Sequence, residues 1–332
     1  MSSRNSLPTL ARDSAWALVA LAVLLAIPFL TSSRIVLDFG IRLAAYGLLA
    51  TSLNFLVGYG GMVSFGHAMF FGGGAYAFAL TLQKTGAGIP AALLVALCFS
   101  ALTGLVVGAV CVRLKEIYFS FLTLAFQMFL HSIILTWTSL TGGDQGLTGG
   151  LPRPPVWGLN LAEPVHLYGF AVALAVVCFW LMRALLQSPF GFTLRMVRDN
   201  ADRARFLGIA VSQVRLTAFV LAACFAGMGG VIMALFVSGA FPDFSYWTMS
   251  GEAIFMIMMG GIQVFIGPLV GAAVLLLLND AISRTTEYHG LALGLVVLLF
   301  ALGFKRGLMD FLGQLWAGLH KPDPQAQPGQ ER

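Results

Sequence analysis

The chain has 332 residues, of which 58% are hydrophobic and 10% charged, with a formal net charge of +5 and a mean hydropathy of +0.87. So much apolar surface excludes an ordinary soluble domain, because a large part of it would have to face water. It suits a multi-spanning membrane protein, where lipid replaces part of the core.

In chain order, the apolar runs predict membrane spans at 14–30, 40–57, 62–82, 90–112, 117–137, 167–186, 216–237 and 291–304. The run 249–278 is cut by Gly260-Gly261 and Gly267-Pro268 and reads as two short spans. The predicted fold class is therefore an all-α polytopic membrane bundle of about ten helices, or eight or nine where the broken segments re-enter. Residues 1–13 form an N-terminal segment, 14–306 the membrane domain and 307–332 a tail whose Pro-rich polar end is expected to be disordered. Arg4 and Arg12 before the first run resemble a signal peptide, but no small-x-small cleavage site follows, so a retained anchor is expected.

Orientation follows from the Lys/Arg bias. With the N-terminus inside, only Arg34, Arg42, Lys84, Arg153 and Arg284 of the 19 basic residues fall outside. An even span count returns the C-terminus to the cytoplasm. Topology thus accounts for the basic excess, and no nucleic acid partner is called for. Arg42 and Asp38, at i and i+4, read as an exposed ion pair of little energetic value.

Two stretches resemble each other. The first holds Gly60-Gly61, Phe65-Gly66-His67 and Gly72; the second holds Gly260-Gly261, Phe265-Ile266-Gly267-Pro268 and Gly271. Interrupted hydrophobic segments at matching positions point to a permeation path, although small residues also serve close helix packing. Both breaks fall on one side of the predicted topology, which does not make an inverted repeat.

Polar groups at membrane depth are costly and therefore informative. Asn54, Ser64 and His67 surround the first break, while Glu252 and Gln263 belong to the second region. These five are the candidate path residues. Gln127 and His131, one turn apart, read instead as helix-to-helix hydrogen bonds. Cys98, Cys111, Cys178 and Cys224 lie in or beside spans without metal-ligand spacing and read as packing residues. No phosphate-cradling glycine loop with Lys occurs, so the chain is not expected to hydrolyse ATP, and no metal or cofactor is expected on it.

The external connection 138–165 is rich in glycine between Gly142 and Gly150. It reads equally as a functional loop or a loose connector. The segment 188–212 breaks the apolar pattern with Arg195, Arg198, Asp199, Asp202, Arg203 and Arg205, ending at Leu207-Gly208. Phe190, Leu194, Val197, Ala201, Ala204 and Gly208 share one helical face, leaving the charges on the other. An amphipathic insert between two spans suits docking onto a soluble partner.

The run Leu53-Asn54-Phe55-Leu56-Val57-Gly58-Tyr59-Gly60-Gly61-Met62-Val63-Ser64-Phe65-Gly66-His67, continuing to Gly72, resembles a signature of the permeases of branched-chain amino acid ABC importers, most closely their M-type member. Gly142 to Pro152 resembles that family's external loop, and Arg198-Asp199-Asn200 through Leu207-Gly208-Ile209 its cytoplasmic coupling segment. Glu252, Gly260-Gly261, Gly267-Pro268 and Gly271-Ala272 resemble its last signature. The likeness runs from about Arg42 to Arg306. It departs at Ile262-Gln263-Val264-Phe265-Ile266 and at Asp202-Arg203-Ala204-Arg205.

The resemblance implies a permease subunit in the bacterial inner membrane that pairs with a sister permease, cytoplasmic ATP-binding subunits and an external solute-binding protein. ATP would be used by the partner subunits. The coupling role then falls on Arg195, Arg198, Asp199, Asp202, Arg203, Arg205 and Gly208. The implied cargo is a branched-chain or other small hydrophobic amino acid, with urea or short amides as the alternative within the family. A proton-coupled secondary transporter using Glu252 and His67 is the alternative outside it.

Overall fold

A computed structural model describes residues 6–30, 33–114, 116–155 and 160–284, with a few scattered positions beyond them. Helices occupy nearly all of this: α1 (Ser6–Leu30), α2 (Arg34–Gly60), α3 (Ala68–Thr85), α4 (Ile89–Cys111), α5 (Glu116–Thr136), the single turn α6 (Thr138–Thr141), α7 (Pro164–Gln187), α8 (Pro189–Asp199), α9 (Ala201–Phe206), α10 (Val211–Val237), α11 (Trp247–Gly260) and α12 (Gly267–Ser283). Among the described residues, α2, α4, α5, α7 and α10 are the five long and apolar enough to cross a membrane. The predicted span 291–304 and the tail fall almost entirely outside the described residues.

Local chemistry sets many boundaries. Pro90, Pro164, Pro189 and Pro268 each stand in the first turn of a helix, where the missing N–H leaves nothing unpaired. Gly61 (φ 67°) ends α2 in the left-handed conformation, its N–H returning to the Val57 carbonyl.

Helix α10 lies at the centre against α2, α3 and α4. Its buried face is built of small residues, including Ala218, Ala222, Ala226, Gly229 and Gly230. Without hydrocarbon–water contrast to drive helix association, such faces hold through close backbone approach. A Cβ on Gly230 would stand 1.9 Å from the Phe71 carbonyl oxygen, so only glycine lets α3 lie this near. Helix α7 packs on α2 and carries α1 on its outer side, while α11 and α12 form a hairpin against α2.

Two expectations change, and one reading left open is narrowed. The span 62–82 is not one helix, because residues 61–67 are irregular and α3 starts only at Ala68. Arg42 does not pair with Asp38. It reaches across to Asp280 of α12 with two parallel bonds of 2.9 and 2.6 Å. The planar guanidinium prefers a bidentate carboxylate to a one-turn neighbour on its own helix. The external loop is no loose connector as far as Pro155. Leu147 N–H donates to the Ala240 carbonyl (2.8 Å), Gln83 to Gly150, and Arg153 Nη2 to Leu235 (2.5 Å) at the end of α10.

Candidate functional site

Both glycine breaks lie against α2. Residues 61–67 run beside the first turns of α5, where Ser120 Oγ donates to the Val63 carbonyl at 2.6 Å and Gly66 lies against the Thr123 backbone. The α11–α12 turn lies against α2, where Asn54 Nδ2 donates to the Ile262 carbonyl at 3.2 Å. Helix α2 is thus the shared wall of both interruptions: Asn54 bonds to the second, and Ser52, 2.9 Å from His67 Nε2, to the end of the first.

Of the five candidates, Asn54, Ser64 and His67 are fully buried, Glu252 is half-buried and Gln263 is exposed. Ser64 Oγ accepts from the Gly66 N–H at 3.3 Å and so steadies the turn into α3. Ser52 Oγ donates to the Leu49 carbonyl (2.9 Å), which leaves it to accept from His67 Nε2, also 2.9 Å away. This network assigns the proton to Nε2. Asn54 Oδ1, His67 Nδ1 and the Thr51 hydroxyl are then buried polar atoms without a protein partner among the described residues. Such atoms are rare in folded chains, and these are three of the eight among the described residues.

A second polar chain lies beside it, and it is fully paired. The Ala68 N–H at the start of α3 donates to Ser250 Oγ of α11, which donates to Gln127 Oε1 of α5, each at 2.9 Å. Gln127 Nε2 donates to the Ser245 carbonyl (3.1 Å), and His131 Nδ1 lies 3.1 Å from Ser245 Oγ. Gln127 and His131 therefore hold elements together, as their spacing indicated. Ser52, Ser245 and Ser250 were not singled out from sequence. A lone serine in an apolar run carries no signal until its partner is known.

The charged insert is two helices rather than one. Asn200 adopts extended backbone (φ −159°) and accepts from the Arg203 N–H at 2.8 Å, capping α9. Leu194, Val197 and Ala204 face inward as expected, but Gly208 is exposed in a left-handed turn (φ 82°). The break at Asn200 rotates the second half away from the single face predicted.

The charges divide into two groups. Arg195 folds back on the end of α7, donating to the Leu186 carbonyl at 3.0 Å. Arg198 Nη1 donates to the Gly58 carbonyl at 2.5 Å, which fastens the insert to the last turns of α2. Asp199, Asp202, Arg203 and Arg205 face outward, with Arg205 and Asp202 paired at 3.0 Å. Phe206 is 91% exposed and Leu207 65%, an apolar knob among charges that the sequence reading missed. Its position opposite the inward face was the available clue.

The sequence profile of the branched-chain amino acid transport system / permease component family matches residues 35–302. The chain belongs to this family. The permease is 28% identical to the high-affinity branched-chain amino acid transport system permease protein LivM of Escherichia coli K12, covering 88% of this chain and 74% of that protein. LivM of Salmonella typhimurium is 27% identical over 87% of this chain and 73% of its own length. The autoinducer 2 import system permease protein LsrC of Enterobacter sp. 638 is 31% identical over 57% of this chain and 53% of its own. No solved structure matches the chain. The permease is thus an integral membrane transport component, and both glycine breaks and the charged insert fall within the matched region.

Proposed function

We propose that this permease is the M-type transmembrane subunit of an ATP-driven importer for branched-chain or other small hydrophobic amino acids. The observation that carries this reading is the Arg198 contact. An exposed insert with an apolar knob is fastened to α2 at Gly58, one turn from the Asn54 that bonds to the second break. A force applied to α8–α9 therefore arrives at the interrupted helices without crossing a flexible loop.

Cytoplasmic ATP-binding subunits would hold Phe206 and Leu207 in a groove, with Asp199, Asp202, Arg203 and Arg205 on its rim. Nucleotide-driven closure would then shift the equilibrium between two arrangements of the breaks, through contacts that differ between them. Nucleotide is used in those partners and no cofactor on this chain is required. On this reading the insert and both termini are cytoplasmic, in the bacterial inner membrane, and a solute-binding protein delivers cargo to the opposite side.

A sister permease follows from the irregular backbone at 61–67. Val63 is 42% and Phe65 39% exposed there. Irregular backbone at membrane depth is tolerated where protein covers it or water fills a cavity, not against lipid. A pore between two permease chains supplies both conditions. Asn54, Ser64 and His67 would line its closed constriction, with Glu252 and Gln263 further along the path.

The test is Phe206→Ala with the exposed Ile117→Ala as control. Loss of co-purifying ATPase subunits and of uptake in the first alone is expected. Undiminished association and uptake would overturn the docking role. The family's alternative cargoes, urea and short amides, are separated by a binding measurement on the cognate solute-binding protein.

A further inference from the structure

Between α1, α2, α7 and α12 lies an apolar cavity of about 730 Å³, which holds Phe265 and Ile266 of the second break in its wall but none of Asn54, Ser64 and His67. Leu24, Leu43, Val172, Phe179 and Leu269 form much of its wall. Its charged residues gather at one end. There Asp13 accepts from Arg183 Nε at 2.9 Å and from Gln187 Nε2, and the Arg183 guanidinium lies over the Phe265 ring, 5.6 Å from its centroid.

The lining is at least as long as one leaflet is deep. Along α1 the lining runs from Asp13 to Leu24, roughly 16 Å at the helical rise. Along α7 it runs from Tyr168 to Arg183, roughly 22 Å. Half the hydrocarbon core of a bilayer is roughly 15 Å deep. The polar end lies near the end of α7, just before the charged insert, and Trp180 lines the wall one turn away, the pattern expected at a membrane–water interface.

The more exposed member of the ion pair is the cation. Arg183 keeps 42% of its side chain exposed, whereas Asp13 keeps 11%, so a headgroup meets the cation. Its mostly apolar wall and its length are wrong for a compact polar solute.

We propose that this cavity is a binding site for one acyl chain of an anionic phospholipid, taken from the leaflet on the side of the insert, with Arg183 meeting the lipid phosphate. The site stands on its own geometry and does not depend on the transport reading. The lipid wedges between α1 and the α2–α7–α12 wall, so α1 is held to the bundle through lipid as well as through side chains.

The full chain is reconstituted in nanodiscs containing phosphatidylglycerol with a photoreactive group on its acyl chain, and crosslinks are mapped by mass spectrometry. Crosslinks concentrated on Leu43, Val176 and Leu269, above the level at the exposed Leu94 and Leu102 of α4, are expected. Labelling of the cavity wall no stronger than that of α4 overturns the site. Ala20→Phe places a ring in the cavity from an exposed position on α1. By displacing about two methylenes it should cut cavity labelling about tenfold while leaving α4 labelling unchanged. Unchanged cavity labelling in that variant also overturns it. Photoreactive phosphatidylcholine should label the cavity less than phosphatidylglycerol, and Arg183→Gln should erase that difference. Equal labelling by both lipids in the native chain refutes the headgroup assignment.

Discussion

Replacing Arg198 by Met removes the guanidinium that ties the charged insert to α2, while an unbranched stem still covers Gly61. In the native fold Nη1 donates to the Gly58 carbonyl at 2.5 Å, and Nε and Nη2 donate to Asp199 at 2.9 and 2.8 Å. Asp199 is 66% exposed, so its pairing stabilises by less than about 1 kcal/mol. The Gly58 bond is charge-assisted and is the larger contribution. Such bonds stabilise by about 1.5–3 kcal/mol, and with 38% of the Arg198 side chain exposed the lower figure applies. If that bond carries the coupling, its loss should reduce uptake per ATP hydrolysed about tenfold. The assay is the permease reconstituted with its ATPase partners and binding protein, reading hydrolysis and uptake in the same vesicles. Membrane insertion and ATPase association should survive, because Phe206 and Leu207 are untouched. Arg198→Lys should retain part of the coupling through a single donor. Unchanged uptake per ATP in the Met variant would refute the reasoning.

Three further outcomes follow from contacts elsewhere. Gly271→Ala would place a Cβ 1.8 Å from the Met256 carbonyl oxygen, where backbone cannot yield; the α11–α12 hairpin should lose about 3 kcal/mol, visible as a lowered melting temperature in detergent, and an unaltered one would disprove the close packing. Ser250→Ala leaves the Ala68 N–H and Gln127 Oε1 unpaired in a buried setting, a loss of about 1–3 kcal/mol, with Ser250→Thr as the milder comparison in the same thermal measurement. Glu252→Gln keeps shape and removes charge at a half-buried position; uptake should fall while assembly with partners stays intact, and native uptake would remove Glu252 from the path.

Much of the bundle was legible because lipid imposes simple rules. Long apolar runs announced α2, α4, α5, α7 and α10, and glycine pairs announced the interruptions before α3 and between α11 and α12. Residues 62–67 after that first pair were nonetheless read as helix. Val63 and Phe65 are apolar, and hydropathy does not distinguish an irregular apolar stretch from a helical one. The charged insert was visible as a departure from composition, but its division at Asn200 was not, since an asparagine between charged residues fits a helix surface as well as a cap. Arg42 was assigned to Asp38 because spacing exposes only local neighbours; its partner Asp280 lies 238 residues away.

By itself the sequence determined that this chain lives in a bilayer, where its helices are interrupted, and which segment carries charge out of the membrane. Those properties follow from side-chain polarity, backbone satisfaction and glycine content, which are local. Only the tertiary structure decided that both interruptions share α2, that Ser52 and Asn54 are its polar contacts to them and that Arg198 fastens the insert beside Asn54. Each of these depends on two distant segments arriving within about 3 Å, the reach of a hydrogen bond, and no local pattern encodes that distance.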